Sequence, residues 1–149
     1  MKKFVDRFQE LETLENEYNS NSSSFVVLYG RRRIGKTELL NEFSRDKKCI
    51  RFLATEESEK MNREVFSSIV SEYTSNSLIK KASLSWEELF DFIIDYNTDD
   101  KKFIIIDEFQ YIGKSDPSFI SVLQKIWDTK LKNSNVMLVL CGSLINMMY

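Results

Sequence analysis

Histidine is absent from this 149-residue sequence, and cysteine, proline and glycine are scarce, at two, one and four residues. Without histidine there is no Ser-His-Asp or Cys-His nucleophile and no His-ligated metal. Cys49 and Cys141 each lie in an apolar run and form no Cys-x-x-Cys pair, which excludes a disulfide scaffold and a thiolate zinc site. Chemistry is left to carboxylates, Lys, Arg, Ser/Thr or a bound metal. Positive charge is not in excess either: 21 basic side chains face 23 acidic ones, a net charge of −2. Such a chain lacks the global field that drives non-specific nucleic-acid binding, so nucleic acid is not an expected partner. The longest apolar runs, residues 25–29, 103–106 and 136–141, fall far short of the ~20 residues of a membrane span. The basic start Met1-Lys2-Lys3 has no apolar stretch behind it, so neither a signal peptide nor a membrane partner is expected, and the expected location is the cytoplasm.

What is present is the material of one globular domain, expected over residues 1–149, with 42% apolar and 30% charged residues. Phe25-Val26-Val27-Leu28-Tyr29, Phe103-Ile104-Ile105-Ile106 and Val136-Met137-Leu138-Val139-Leu140-Cys141 lack period-two alternation, as strands buried on both faces of a parallel sheet do. Cys49-Ile50-Arg51-Phe52-Leu53-Ala54 is a weaker fourth. Helical spacing separates them. Trp86, Leu89, Phe90, Ile93 and Ile94 follow a Ser85-x-x-Glu88 capping box. Val65, Phe66, Ile69, Val70 and Tyr73 repeat the pattern, as do Phe119, Leu123, Ile126 and Trp127 behind an Asp116-Pro117 start. Leu39, Leu40 and Phe43 predict a shorter helix, and Leu11, Leu14 and Tyr18 another. The polar stretches 19–24 and 71–77 read as loops, and the pairs Lys80-Lys81 and Lys101-Lys102 as solvated loop ends. Strands alternating with helices predict an α/β three-layer sandwich with a mostly parallel sheet.

The first strand runs directly into Gly30-Arg31-Arg32-Arg33-Ile34-Gly35-Lys36-Thr37, a complete G-x-x-x-x-G-K-[ST] phosphate-binding loop that opens a helix. The glycines let successive N–H groups turn inward, and the helix N-terminus adds partial positive charge where phosphate oxygens would sit. Lys36 is placed to reach the β- and γ-phosphates, and the Thr37 hydroxyl to ligate Mg²⁺. At the end of the 103–106 strand stand Asp107 and Glu108. Four apolar residues and two acids form a Walker B pattern, with Asp107 for the hydrated Mg²⁺ and Glu108 to orient and deprotonate a water. Without the loop, the same pair would read as an ordinary loop cap. Ser143, which closes the 136–141 strand with Asn146 behind it, is either a sensor of the γ-phosphate or a turn serine. Cys141 reads as a buried filler. The Arg31-Arg32-Arg33 run occupies variable loop positions and reads as solvated or partner-facing.

Together, Phe4-Val5-Asp6-Arg7-x-x-Glu10-Leu11, the Gly-Arg-Arg-Arg-Ile-Gly-Lys-Thr-Glu-Leu block ending at Leu39, Asp107-Glu108-Phe109-Gln110 and Leu140-Cys141-Gly142-Ser143 resemble the archaeal-type ATPase family, an AAA-like group close to the STAND NTPases. That resemblance spans almost the whole chain. It implies a P-loop NTPase fold in which the strand ending at Ser143 lies between the P-loop strand and the Walker B strand. ATP and Mg²⁺ are the implied ligands. Gly30, Arg31, Arg32, Arg33, Ile34, Gly35, Lys36, Thr37 and Glu38 form the implied nucleotide set, Val5 and Arg7 the adenine pocket, Thr37 and Asp107 the metal ligands, and Glu108, Lys36 and Ser143 the catalytic group. Phe8 departs from the family pattern, which carries an acid there. The family's fifth strand and helical lid have no counterpart after Ser143, so the fold is expected to be truncated past the sensor strand. The P-loop strand is then expected at a sheet edge, where a second copy of the chain or another element would cover it. Two functions fit: Mg-ATP hydrolysis with weak or partner-dependent turnover, or a nucleotide-gated assembly switch. The Asp107-Glu108 pair argues against a kinase.

Overall fold

The computed structural model describes residues 7–30 and 35–143. Helix α1 (Arg7–Tyr18) leads into strand β1 (Ser24–Gly30), followed by α2 (Lys36–Ser44), β2 (Cys49–Leu53), α3 (Glu59–Thr74), α4 (Trp86–Asp95), β3 (Lys102–Asp107), α5 (Gln110–Ser115), α6 (Phe119–Thr129) and β4 (Val136–Ser143). Short 3-10 turns at Ile79–Lys81 and Leu131–Asn133 tighten two of the connections. The strands form one sheet in the order β1-β4-β3-β2, every neighbouring pair parallel. This is the expected α/β architecture, with β4 inserted between the P-loop strand and the strand ending at Asp107.

Side-chain alternation along the strands builds two cores. On one face Ile50, Phe52, Ile104, Ile106, Leu138 and Leu140 meet α3, α4 and α6 through Phe66, Val70, Phe90, Ile93, Leu123 and Ile126. On the other, Phe103, Ile105, Met137, Val139 and Cys141 meet α1 and α2 through Leu14, Leu39, Leu40 and Phe43. The Ser85 capping box is formed in both directions, Glu88 N to Ser85 Oγ at 3.1 Å and Ser85 N to Glu88 Oε1 at 2.9 Å. These reciprocal bonds satisfy two donors that a helix start otherwise leaves open.

Several expectations are corrected. β1 is only partly buried: Phe25 meets Trp127 of α6 on one face and Val26 and Leu28 the α1–α2 core on the other, while Val27 is 37% exposed at the end strand of the sheet. Helix α3 runs through Ser71 to Thr74, so only the end of the expected 71–77 loop is irregular. The polar residues there are absorbed by backbone, with Ser71 Oγ donating to Asn76 O at 2.7 Å and Thr74 Oγ1 to Val70 O at 2.8 Å. Helix α6 starts at Phe119, and Asp116 instead forms a turn in which its carboxylate accepts from the Ser118 N–H at 3.0 Å. The Lys101-Lys102 pair is not solvated. Lys101 is 7% exposed and donates to the Ser22 carbonyl at 2.7 Å, and Lys102 donates to the Ile94 carbonyl in the last turn of α4, where helix carbonyls favour a cation. Burial lowers the pKa of both amines.

Cys141 is 1% exposed between two core strands, and burial, with the Asp107 carboxylate beside it, pushes its thiol up to about 12 from 9.0. The raised folded-state value means that the folded chain keeps this proton above pH 9 while the unfolded chain loses it. The stabilisation is therefore fully present below pH 9 and is lost as pH rises toward 12. Between pH 8 and pH 11 the wild type is expected to lose on the order of 2 kcal/mol more unfolding free energy in urea than Cys141→Ala. Equal losses would contradict this placement of the thiol.

Candidate functional site

Because β1, β4 and β3 are parallel and in register, their carboxyl ends arrive together: Gly30 pairs with Ser143, Leu28 with Cys141, and Cys141 with Asp107. Crevices at the carboxyl ends of such strands are where open α/β sheets hold ligands. Gly35 opens α2 with φ 85°, a left-handed conformation that glycine adopts without a Cβ clash, and α2 then projects Lys36, Thr37 and Glu38 from its first turn. These residues line a cavity of about 660 Å³ together with Asp107 and Glu108 from the end of β3, and Arg51 and Leu53 from β2. The volume lies in the range of small-molecule sites.

Lys36 is 8% exposed, and its ammonium donates to the Gly142 carbonyl at 2.6 Å, tying the first turn of α2 to the end of β4. Asp107 is held by its backbone, its carbonyl accepting from the Ala54 N–H at 2.9 Å, while its Oδ1 accepts from the Glu108 N–H at 2.9 Å. Glu108 has φ 55°, a left-handed conformation that costs a side chain with a Cβ roughly 1–2 kcal/mol. Its surroundings enforce that geometry. The next N–H, of Phe109, donates to Cys141 O at 3.2 Å, and the Glu108 carbonyl accepts from Tyr111 N at 3.1 Å. Gln110 adds a second local cost, being 1% exposed with neither side-chain amide atom hydrogen-bonded among the described residues. A buried polar group without a partner costs about 1–3 kcal/mol. Strain of this kind persists where surrounding structure over-determines a functional segment.

Of the residues expected at the site, Gly35, Lys36, Thr37, Glu38, Asp107 and Glu108 share this cavity. Gly30 and Ser143 are paired at the ends of β1 and β4, with the Ser143 side chain outside the described portion, as is that of Arg7 at the start of α1. Val5, Arg31, Arg32, Arg33, Ile34 and Asn146 lie outside the described residues. Sequence reasoning missed Arg51 and Leu53 as cavity residues. The available signal was a charge in the middle of the apolar Cys49–Leu53 strand.

The donor set bears on a metal. Among the described residues no group of three or more His, Cys, Asp or Glu side chains could cage an ion. One hydroxyl, Thr37, and one carboxylate, Asp107, instead line the cavity, a pair of hard oxygens that fits Mg²⁺, which is usually held by one or two side chains, waters and substrate phosphates.

Sheet order, loop and acidic strand end define the class, a P-loop NTPase fold. Residues 4–149 match the model of an ATPase domain predominantly from Archaea, and the chain belongs to that family. An uncharacterised protein of Methanocaldococcus jannaschii, MJECL04, is 39% identical over 145 residues, a match covering 97% of this chain and 30% of that protein. An uncharacterised ATP-binding protein of the same organism, MJ0423, is 50% identical over 48 residues, 32% of this chain and 81% of that protein. Among solved structures, the Walker-type ATPase PABY2304 of Pyrococcus abyssi superposes with a TM-score of 0.67 at 20% identity, over 93% of this chain and 45% of that one. Cdc6p of Pyrobaculum aerophilum gives 0.58 at 20% identity, over 96% and 40%. This chain thus spans less than a third of MJECL04 and less than half of either solved structure. No helix among the described residues is long and apolar enough to cross a membrane.

The left-handed backbone at Glu108 has a measurable consequence. Glu108→Gly is expected to be about 1 kcal/mol more stable than Glu108→Ala by urea unfolding, because only glycine relieves the Cβ clash. An alanine variant as stable as the glycine one would contradict the strained geometry.

Proposed function

We propose that this chain is the nucleotide-binding part of an ATPase that binds Mg-ATP at the strand-end cavity and hydrolyses it. The observation carrying this reading is the single cavity shared by Lys36, Thr37, Asp107 and Glu108. Backbone N–H groups at the start of α2 face the phosphates, and Lys36 exchanges the Gly142 carbonyl for β- and γ-phosphate oxygens. Thr37 and Asp107 would hold Mg²⁺, which supplies charge neutralisation on the phosphates. Glu108 is the general base. Its carboxylate takes a proton from water as the water oxygen bonds to the γ-phosphorus, and the bond from that phosphorus to the β–γ bridging oxygen breaks to release ADP and phosphate. Val5 and Arg7 are proposed for the adenine, Ser143 as a γ-phosphate sensor, and Gly30, Arg31, Arg32, Arg33, Ile34, Gly35 and Glu38 as the rest of the nucleotide contact set.

The Lys36–Gly142 hydrogen bond also favours a second reading. Moving that ammonium from carbonyl to phosphate breaks the tie between α2 and the end of β4, which stays paired with β1, so nucleotide occupancy alone would alter the α2–β4 seam of a regulatory or assembly switch.

Calorimetric titration and phosphate release separate the readings. Lys36→Ala is expected to weaken Mg-ATP binding at least about tenfold. Glu108→Gln is expected to keep the affinity and lose about 100-fold or more in phosphate release. Wild-type affinity in Lys36→Ala would overturn the site. Unchanged phosphate release in Glu108→Gln with binding intact would favour the switch.

A further inference from the structure

The β2 wall of the cavity carries a cation that the phosphate-loop pattern does not account for. Arg51 sits in β2 between Ile50 and Phe52, both fully buried against α3 and α4. It occupies the opposite face, the one toward α2, where its strand partner is Ile105 and its same-face neighbours are Cys49 and Leu53. An aliphatic side chain would suit both strand propensity and packing at such a position, so a guanidinium there breaks the local pattern at the cavity.

The partner of that guanidinium is equally telling. Nη1 of Arg51 donates to the side-chain carbonyl of Asn41 on α2, and among the described residues no carboxylate pairs with it. Yet Glu38, Asp107 and Glu108 line the same cavity. A neutral amide lacks the ion-pair attraction that a carboxylate or phosphate offers, so it is a partner that an incoming anion can displace. The guanidinium also presents parallel N–H donors that match two phosphate oxygens, a geometry lysine lacks.

We propose that Arg51 is a terminal-phosphate ligand supplied by this chain itself: it leaves the Asn41 amide for the γ-phosphoryl oxygens of a bound nucleoside triphosphate, from the β2 side, while Lys36 serves from α2. The inference rests on the nucleotide reading of the cavity. An arginine in cis at transferring phosphate both raises affinity for the triphosphate over the diphosphate and stabilises charge that develops as the phosphoryl group leaves.

The test uses the full chain, titrated with a non-hydrolysable Mg-bound ATP analogue and with Mg-ADP, in wild type, Arg51→Ala, Arg51→Lys and Asn41→Ala, each checked for folding by thermal melt. Arg51→Ala is expected to lose about tenfold to a hundredfold in affinity for the analogue while ADP affinity is unchanged. Arg51→Lys is expected to show a smaller loss confined to the analogue, and Asn41→Ala to bind it at least as tightly as wild type. A triphosphate-to-diphosphate ratio in a folded Arg51→Ala protein equal to that of the wild type would overturn the proposal and leave Arg51 as a charge guarding an edge strand. If Arg51→Ala does not fold, an unchanged ratio in Arg51→Lys overturns it equally. Wild type that binds neither nucleotide defeats the nucleotide reading and this proposal together, whereas wild-type binding with indifferent Arg51 variants defeats this proposal alone.

Discussion

The parallel pairing of β4 between β1 and β3 is the constraint on which the site depends. It sets the carboxyl end of the P-loop strand and that of the acidic strand one strand apart, so that α2 and the Asp107-Glu108 turn close on one cavity. The pairing is secured by burial on both sides. Met137, Leu138 and Val139 of β4 and Phe103, Ile104, Ile105 and Ile106 of β3 are fully buried, alternately against the two helical layers. A register slip of one residue would turn every one of these side chains to the wrong layer and carry Asp107 away from Lys36. The amino ends are pinned as well, with Ser23 Oγ accepting from Val136 N at 3.0 Å and donating to Leu131 O at 2.9 Å.

Rigidity in the sheet permits local costs at its end. Glu108 is left-handed and Gln110 is buried with its amide unpaired among the described residues, within three consecutive residues of the acidic turn. Neither would persist in an isolated peptide. The backbone bonds made by Ala54, Phe109 and Tyr111 tie the turn to the residue after β2, to β4 and to α5, which is how a stable core maintains a strained segment. Charge in the cavity follows the same division of labour. Lys36 donates to the Gly142 carbonyl and Arg51 to the Asn41 side-chain carbonyl, contacts that the proposed phosphate oxygens would replace.

The sheet was legible because β3 and β4 are buried on both faces and therefore carry unbroken apolar runs. Helix α4 was legible for a different reason, since its capping box is local chemistry that tertiary packing left intact. The edge position of β1 came only from the family resemblance, because an edge strand and a central one share the same apolar composition. Short α5 had no readable signal: six residues with a glycine show no helical period, and the helix exists because the turn after Glu108 is held by neighbours. Ser71 and Thr74 looked like loop residues by composition but bond backbone carbonyls within or just after α3. At the site, loop and acidic pair were legible as motifs. Arg51 stood out only as a charge in an apolar strand, and its place at the cavity depends on β2 lying beside β3, a tertiary fact.

The chain belongs to the archaeal ATPase-domain family and spans less than a third of MJECL04 and less than half of the PABY2304 structure, and the proposed function requires that these residues form a nucleotide pocket. A thermal melt with and without Mg-ATP reads whether the pocket forms. Ligand at about 100 times its dissociation constant contributes about 2.7 kcal/mol, which raises the melting temperature of a domain this size by roughly 5–11 °C. That rise is expected. No shift at millimolar Mg-ATP in a chain that melts cooperatively would mean that these residues hold no nucleotide.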